Sequence, residues 1–156
     1  MTTIAEARDT IFTHFGTFWS TEVVGRAILT AAPYVIYQNV DFDPEKDVTG
    51  WPVPHVEIEV QHITGGIASL GGSSRLFRRE GIVLAQIKTL KGNKDTQGGT
   101  VLNDDLTQVV MDAFDGIHLT GNIWFLDVFP VELGPDDNGQ FFITTVTAEF
   151  QYDEIK

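Results

Sequence analysis

A glycine-rich stretch between two predicted strands comes close to the pattern that binds phosphate groups. In Gly66-Ile-Ala-Ser-Leu-Gly71-Gly72-Ser73 two glycines stand at the spacing of a P-loop, but Gly72 occupies the position of the lysine that contacts phosphate. The stretch also lies between two strands, so it lacks the helix N-terminus whose backbone N–H groups would hold an anion. We interpret it as a loop and not as a nucleotide site.

Carboxylates at alternate positions in Asp41-Phe-Asp43-Pro-Glu45-Lys-Asp47 are similar to the start of a calcium loop. Such loops need a glycine at the sixth position for a sharp turn and a bidentate glutamate at the twelfth. Lys46 and Pro52 stand at those two positions. The segment is therefore predicted to be a solvated acidic loop without a metal.

The four histidines show no pattern for metal binding or acid–base catalysis. His55 and His62 are seven residues apart on one predicted strand, which places them on opposite faces, and His14 and His118 have no carboxylate at ligand spacing. The sequence contains no cysteine and no Gly-x-Ser-x-Gly motif, which excludes a thiol nucleophile and a disulfide. We therefore predict a protein that is not an enzyme and holds no cofactor or metal.

Length and charge describe the molecule that presents these residues. A chain of 156 residues forms one domain, residues 1–156. Its formal net charge of -12 argues against nucleic acid binding as a main activity. The N-terminal segment lacks a signal-peptide pattern, and the uncharged stretch 27–40 is too short for a membrane span. We expect a protein made in the cytoplasm with no membrane contact.

Two helices are predicted from apolar residues spaced three and four apart. The first, over residues 3–19, begins with a capping box of Thr3 and Glu6; the second covers residues 100–114 and stops before Gly116. Residues 22–32 could add a short third helix, which Pro33 would end.

Five strands are predicted over residues 34–40, 55–62, 76–90, 123–133 and 141–152. Residues 64–74 contain four glycines and form the tip of a long hairpin, which is bent or bulged at Gly81. The pair Asn138-Gly139 predicts the turn of a second hairpin. The order αβββαββ indicates an α+β fold, with a mostly antiparallel five-stranded sheet, two to three helices packed on one face, and a long hairpin with a Gly-rich tip.

The strand over residues 123–133 is apolar on both of its predicted faces. One face holds Ile123, Phe125, Phe129, Val131 and Leu133; the other holds Trp124, Leu126 and Val128. Helices on one side of the sheet cannot cover both faces. Two explanations fit equally: the sheet closes on itself, or another subunit covers the strand.

Basic and acidic residues fall in separate parts of the sequence. Six of the ten basic residues lie within twenty positions on the long hairpin: Arg75, Arg78, Arg79, Lys88, Lys91 and Lys94. From Asp127 onward, seven acidic residues accompany one lysine. Either the hairpin is simply solvated, or the basic hairpin of one subunit pairs head-to-tail with the acidic surface of its neighbour and closes a ring.

An ordered set of short motifs along nearly the whole chain resembles the tail terminator, or tail completion, proteins of long-tailed bacteriophages and their prophages. The motifs are Glu6-Ala-Arg-Asp9, Tyr37-Gln-Asn-Val-Asp-Phe-Asp43, Trp51, Gly65-Gly66-Ile-Ala-Ser-Leu-Gly71-Gly72, Arg75-Leu-Phe-Arg-Arg-Glu-Gly81, Gly121-Asn-Ile-Trp124 and Glu149-Phe-Gln-Tyr-Asp153. The resemblance implies a structural virion protein. Such proteins form a ring, usually of six subunits, that binds the head-proximal end of the tail tube, stops its polymerisation and provides the surface to which the head docks.

The resemblance also implies the partners and the location of the protein. The partners are other copies of the chain, the tail tube protein and a head completion or neck protein; DNA passes through the ring without specific binding. Assembly takes place in the host bacterial cytoplasm, and the protein ends in the virion tail. Interface roles fall on Arg75, Arg78, Arg79 and the loop around Leu70, and charge alone suggests Asp41 and Asp43, or Asp136 and Asp137, as their acidic partners.

Three other functions remain open on the sequence. A neck or head completion protein would form a similar ring but bind heads instead of tails. A tail tube subunit would polymerise by itself into long cylinders. A small-molecule-binding or enzymatic α+β domain would be stabilised by its ligand.

Overall fold

Three helices and six strands make up the computed structural model, which describes residues 2–71, 74–91 and 99–155. The helices are α1 (Ile4–Gly25), α2 (Pro44–Asp47) and α3 (Thr100–Phe114). The strands are β1 (Tyr34–Tyr37), β2 (His55–Gly71), β3 (Ser74–Leu90), β4 (His118–Leu119), β5 (Ile123–Pro135) and β6 (Phe141–Ile155). Within these described residues no helix is long and apolar enough to cross a membrane.

The strands form one sheet in the order β1-β2-β3-β6-β5-β4. Every pair is antiparallel except β1 with β2, which run parallel. The predicted α+β class is confirmed. The predicted five-stranded sheet and the order αβββαββ are wrong, because the structure also contains α2 and β4, which the prediction omitted. One turn of helix and a two-residue strand are too short to produce a hydrophobic period.

The first helix begins where the capping box predicted. The Thr3 N–H donates to Glu6 Oε2 at 2.7 Å, and the Glu6 N–H donates to Thr3 Oγ1 at 3.2 Å. The helix is longer than predicted because its buried stripe continues through Trp19 to Val23. It ends near Ala27, whose φ of 55° lies in the left-handed region.

The two long helices pack on one face of the sheet, here called the helix face; the opposite side is the open face. The ring of Phe114 on α3 stacks on Phe15 of α1, with centroids 5.8 Å apart, and contacts Phe125 of β5 at 4.8 Å. Alternate residues of the central strands complete this core: Val56, Ile58, Val60, Val83, Ala85, Ile87, Val146, Ala148 and Phe150. The predicted placement of the helices is therefore confirmed for α1 and α3.

A buried asparagine fixes α3 on the sheet. Nδ2 of Asn103 donates to Thr89 Oγ1 and to the Phe142 carbonyl, both at 3.2 Å, and Asn103 Oδ1 accepts from Thr144 Oγ1 at 2.6 Å. These bonds join the first turn of α3 to β3 and β6. A buried polar group that lost them would cost free energy, so they determine where the helix sits along the strands.

The β2–β3 hairpin extends past the rest of the sheet. The end of β6 pairs with β3 at Leu76 and Ile155, whereas the hairpin continues to Gly71 and Ser74. Residues 64–71, predicted as a loop, therefore belong to β2, and residues 72–73 of the predicted tip lie outside the described residues. Each of the two strands has 17 residues and spans about 56 Å.

The irregular pairing predicted at Gly81 is found at this level of the hairpin, but the extra residue lies on β2, opposite Gly81. The register shifts between His62 and Thr64, and again between Ile67 and Ser69. Gly81 has a different role: a Cβ there would lie 2.5 Å from the Gln61 carbonyl oxygen and from the ring of Phe150. The glycine allows the aromatic ring to pack directly on the backbone of β3.

Candidate functional site: an interaction surface on the sheet

The second half of β5 carries exposed apolar side chains. Leu126, Phe129, Val131 and Leu133 are between 42% and 56% exposed. Their outer edge is also open, since β4 pairs with β5 only at Ile123 and Trp124 and no other described strand lies there. Within the described residues the sheet does not close over this strand, so self-closure does not account for its apolar character.

A bulge in β5 explains why both parities are apolar. The register shifts between Phe125 and Val128, so Phe125 and Val128 both face the helix-packed core. After the shift, Phe129 and Val131 lie opposite Thr147 and Thr145 on the open face. The odd-numbered residues predicted to share one face are therefore divided between the two faces.

The arginines of the hairpin already have acidic partners in the same chain. Arg78 binds Asp153 in a bidentate pair, with N–O distances of 3.0 and 3.2 Å, which raises the pKa of Arg78. Arg79 donates to Glu154 at 3.0 Å, and this carboxylate is buried. Because β6 lies next to β3, the basic and acidic segments of the sequence are neighbours in the sheet.

Because of these ion pairs, substitutions at Arg78 and Arg79 would not test an intersubunit interface alone. Substituting glutamate for Arg78 and Arg79 would place new carboxylates against Asp153 and Glu154, and so would weaken the sheet as well as any interface. Arg75 is exposed, and no ion pair to it is found among the described residues. The backbone of Leu70 pairs with Arg75 near the end of the hairpin, and its side chain lies outside the described part of the structure.

The predicted acidic partners lie in two separate turns. Asp43 pairs with Lys46 at 2.8 Å at the start of α2, and the exposed Asp41 precedes it. Asp136 Oδ1 accepts from the backbone N–H groups of Gln140 at 2.7 Å and of Phe141, which closes the β5–β6 turn. Asp137 is exposed in that turn. No three His, Cys, Asp or Glu side chains of the described residues come together as a metal site.

The two acidic turns meet at one end of the sheet, away from the arginines. Trp51, in the segment after α2, contacts Phe141 at the start of β6, with ring centroids 5.8 Å apart. The register of β3 places Arg78 twelve residues from Leu90, the residue that pairs with Phe141, or about 40 Å away. A contact between these acids and the arginines would therefore have to join two subunits.

One ion pair on the open face was not predicted from the sequence. Oε1 of Glu57 accepts from Lys88 Nζ at 2.9 Å and lies 3.6 Å from His55 Nε2. The imidazole of His55, followed by the Lys88 ammonium, lowers the pKa of Glu57 to about 2 against the opposing effect of burial. The alternation of β2 placed Glu57 on the polar face, but the register that brings Lys88 beside it is not visible in the sequence.

A shallow groove on the open face has a volume of about 230 Å³. Its lining includes Tyr37, Gln38, Glu57, Glu59, Leu84 and Gln86. Pockets that enclose drug-sized ligands usually measure roughly 300–1,000 Å³ and are mostly apolar. The groove therefore gives little support to a small-molecule site.

His55 and His62 lie on opposite faces of the sheet, as predicted. His62 lies edge-on to Phe150 and Tyr152 on the helix face, and its pKa is lowered by burial and then by Arg8 and Arg79. The ring of His14 contacts the Ala113 carbonyl at 2.6 Å, which ties α1 to α3.

Comparison with known proteins establishes the fold and no more. No family model and no curated protein matches the sequence. One solved structure, of a protein described without a stated function, matches with a TM-score of 0.55 at 14% identity, over 92% of this chain and 93% of that chain. Nearly the whole chain therefore shares an architecture with an experimentally determined domain.

Proposed function

We propose that this chain is a structural protein of a phage tail that acts as a tail terminator. In this proposal six copies form a ring on the head-proximal end of the tail tube, stop its polymerisation and offer the surface to which the head docks. DNA passes through the ring without specific binding, and no catalytic step is involved. The protein assembles in the host bacterial cytoplasm and ends in the virion tail.

The observation that carries the proposal is the uncovered apolar strand β5. Four large apolar side chains on one exposed strand indicate a surface that another protein covers. The ordered motifs that resemble tail terminators supply the identity of the assembly. The hairpin end of β2 and β3 extends two residue pairs past β6 and presents the exposed Arg75, which supports it further as a contact point for a neighbour or the tube.

The test is a capping assay with tail tubes assembled without a terminator. Electron microscopy should show added protein as one ring at one end of each tube, and tubes exposed to it should not lengthen when more tube protein is supplied. Binding to isolated heads but not to tubes would indicate a neck protein. Long cylinders formed by the protein alone would indicate a tube subunit.

Arg75→Glu is the sharpest variant for the hairpin, since Arg75 is exposed and its replacement breaks no described ion pair. Reversing this charge at a contact should weaken binding to tube ends by roughly tenfold or more, with an unchanged melting temperature. Val101→Glu, on the exposed side of α3, is the control and should bind as the wild type does. Equal binding by both variants would mean that Arg75 does not contribute to the interface with the tube.

A further inference from the structure

Two edges of the sheet are open, and they lie on opposite sides. On one side β1 borders β2 only from His55 to Ile58, with Gln38 extending the contact to Val60; among the described residues no strand borders β2 beyond that point. On the other side β5 is open beyond Phe125, whose N–H donates to the Ile117 carbonyl at 3.1 Å. The open parts have similar lengths, about 11 residues on β2 and 10 on β5, and expose rows of backbone N–H and C=O groups.

We propose that the open edge of β5 pairs with the open edge of β2 from a second copy of the chain, forming one continuous antiparallel sheet between subunits. The inference deepens the proposed ring and rests on it only for closure. β5 runs opposite to β6 and β2 runs parallel to it, so copies placed side by side with the same end up meet as antiparallel strands. The two edges differ, so the contact is heterologous and can repeat around a ring.

The stagger between the edges has the size that a closed sheet requires. Pro130, near the middle of open β5, lies level with Ile58 through Val146 and Ala85. Gly65, one residue from the middle of open β2, is level with Arg79 on β3, which lies six residues from Ala85, or about 20 Å. From β2 of one copy to β2 of the next, the sheet advances by four strands (β2, β3, β6 and β5), or about 19 Å, so this offset corresponds to a strand tilt of roughly 45°, at the upper end of the 35–45° of closed sheets.

This register also matches the two faces. Pairing Pro130 with Gly65 places Phe129 beside Gly66, and both positions lie on the open face. The next pair, Val128 with Ile67, falls on the helix face. A slip of one residue would put apolar and polar faces together, so the faces restrict the register. The bare backbone at Gly66, which has no atom within 4 Å of an added Cβ, leaves room for an aromatic ring.

The short strands set the two ends of the pairing. In this register β1 of the second copy lies past the end of β5 at Pro135. At the other end β4 and the Ile117 carbonyl occupy the β5 edge through Phe125, so the pairing starts with Leu126 opposite Ser69. Pro130 removes one N–H donor from the β5 edge, so the ladder has one gap there. The exposed apolar residues of β5 would be covered by the neighbour.

Cysteine cross-linking tests the register, since the chain has no cysteine of its own. Phe129→Cys combined with Gly66→Cys should give disulfide-linked multimers under mild oxidation, with the protein alone or on tube ends. Each single variant should remain unlinked beyond background. Phe129→Cys with Ile67→Cys, one position away and on the opposite face, should link at least roughly tenfold less.

Lysines on the β5 edge test the contact without cross-links. Val131→Lys with Leu133→Lys should raise the concentration needed for assembly in native mass spectrometry by roughly tenfold or more, because lysines protect open edges from pairing. Val101→Lys, at a more exposed apolar site on α3, is the control. Normal assembly by the edge variant, or no linkage in either condition, overturns the edge pairing. A ring that caps tubes despite either result would leave the proposed function standing.

Discussion

Glu57 provides a pH-dependent contribution to stability that can be isolated by one substitution. Its folded pKa of about 2 lies below the ordinary value of 4.5, so its contribution is complete above pH 4.5 and is lost as the pH falls to 2. The full shift corresponds to about 3 kcal/mol. Because the side chain is 39% exposed, solvent screening reduces the expected contribution to about 1 kcal/mol.

Glu57→Gln should therefore be less stable than the wild type by about 1 kcal/mol at pH 7, with the difference shrinking to near zero at pH 2. Urea unfolding at pH 7, 4.5 and 2.5 measures it. Lys88→Met should show part of the same change, since His55 still lies beside the carboxylate. A difference that stays constant across this range would contradict the ion pair.

Single side chains show most clearly what the sequence could not predict. The alternation of β2 predicted which residues face the core and that Glu57 faces away, because a period of two depends only on neighbours in sequence. The pairs Glu57–Lys88, Arg78–Asp153, Arg79–Glu154 and Asn103–Thr89 depend on strand register and helix placement, which join residues at least 14 positions apart. The sequence separated basic from acidic residues, and the sheet brings them together.

Gly81 is the residue on which the central packing of β3 against β6 depends. A side chain at this position would collide with the Phe150 ring and with the carbonyl oxygen of Gln61, neither of which can move without disturbing the sheet. Gly81→Ala should lower the free energy of unfolding by about 2–3 kcal/mol.

Gly66→Ala is the matched control on the same hairpin, because an added Cβ meets nothing within 4 Å. It should change the free energy of unfolding by no more than about 0.5 kcal/mol. Denaturant unfolding followed by fluorescence compares the two. Equal changes in the free energy of unfolding for the two variants would mean that the close contact between Gly81 and Phe150 does not determine the stability of the hairpin.

Long elements were predicted better than short or irregular ones. The capping box at Thr3 and the alternation of β2 located the starts of α1 and β2, and the period of α3 located both of its ends. The single turn α2, the two-residue β4 and the bulge after Phe125 leave no periodic signal, and the bulge divided one predicted face into two. Residues 64–71 were predicted as a loop because of their glycines, yet pairing with β3 holds them in a strand.

The open strand edges are a property of the complete sheet and could not be predicted from any segment. The sequence showed that β5 needs cover on both faces and left two explanations; the sheet order shows that the chain itself does not supply it within the described residues. The identity of the covering protein stays a prediction. Cross-linking decides whether it is another copy of the chain.

The ion pairs that Arg78 and Arg79 form within the chain have a consequence for ionic strength. An interface held by arginines of one subunit and carboxylates of the next would dissociate as added salt screens it. Here those arginines are already neutralised by Asp153 and Glu154, and each chain carries a net charge of -12. Neighbouring subunits therefore repel one another electrostatically, and added salt screens this repulsion. Backbone pairing at the strand edges and apolar contacts are not weakened by added salt. Raising sodium chloride from about 0.05 to 0.5 M should favour assembly in sedimentation velocity measurements, and a shift toward monomers would mean that charge attraction holds the subunits together.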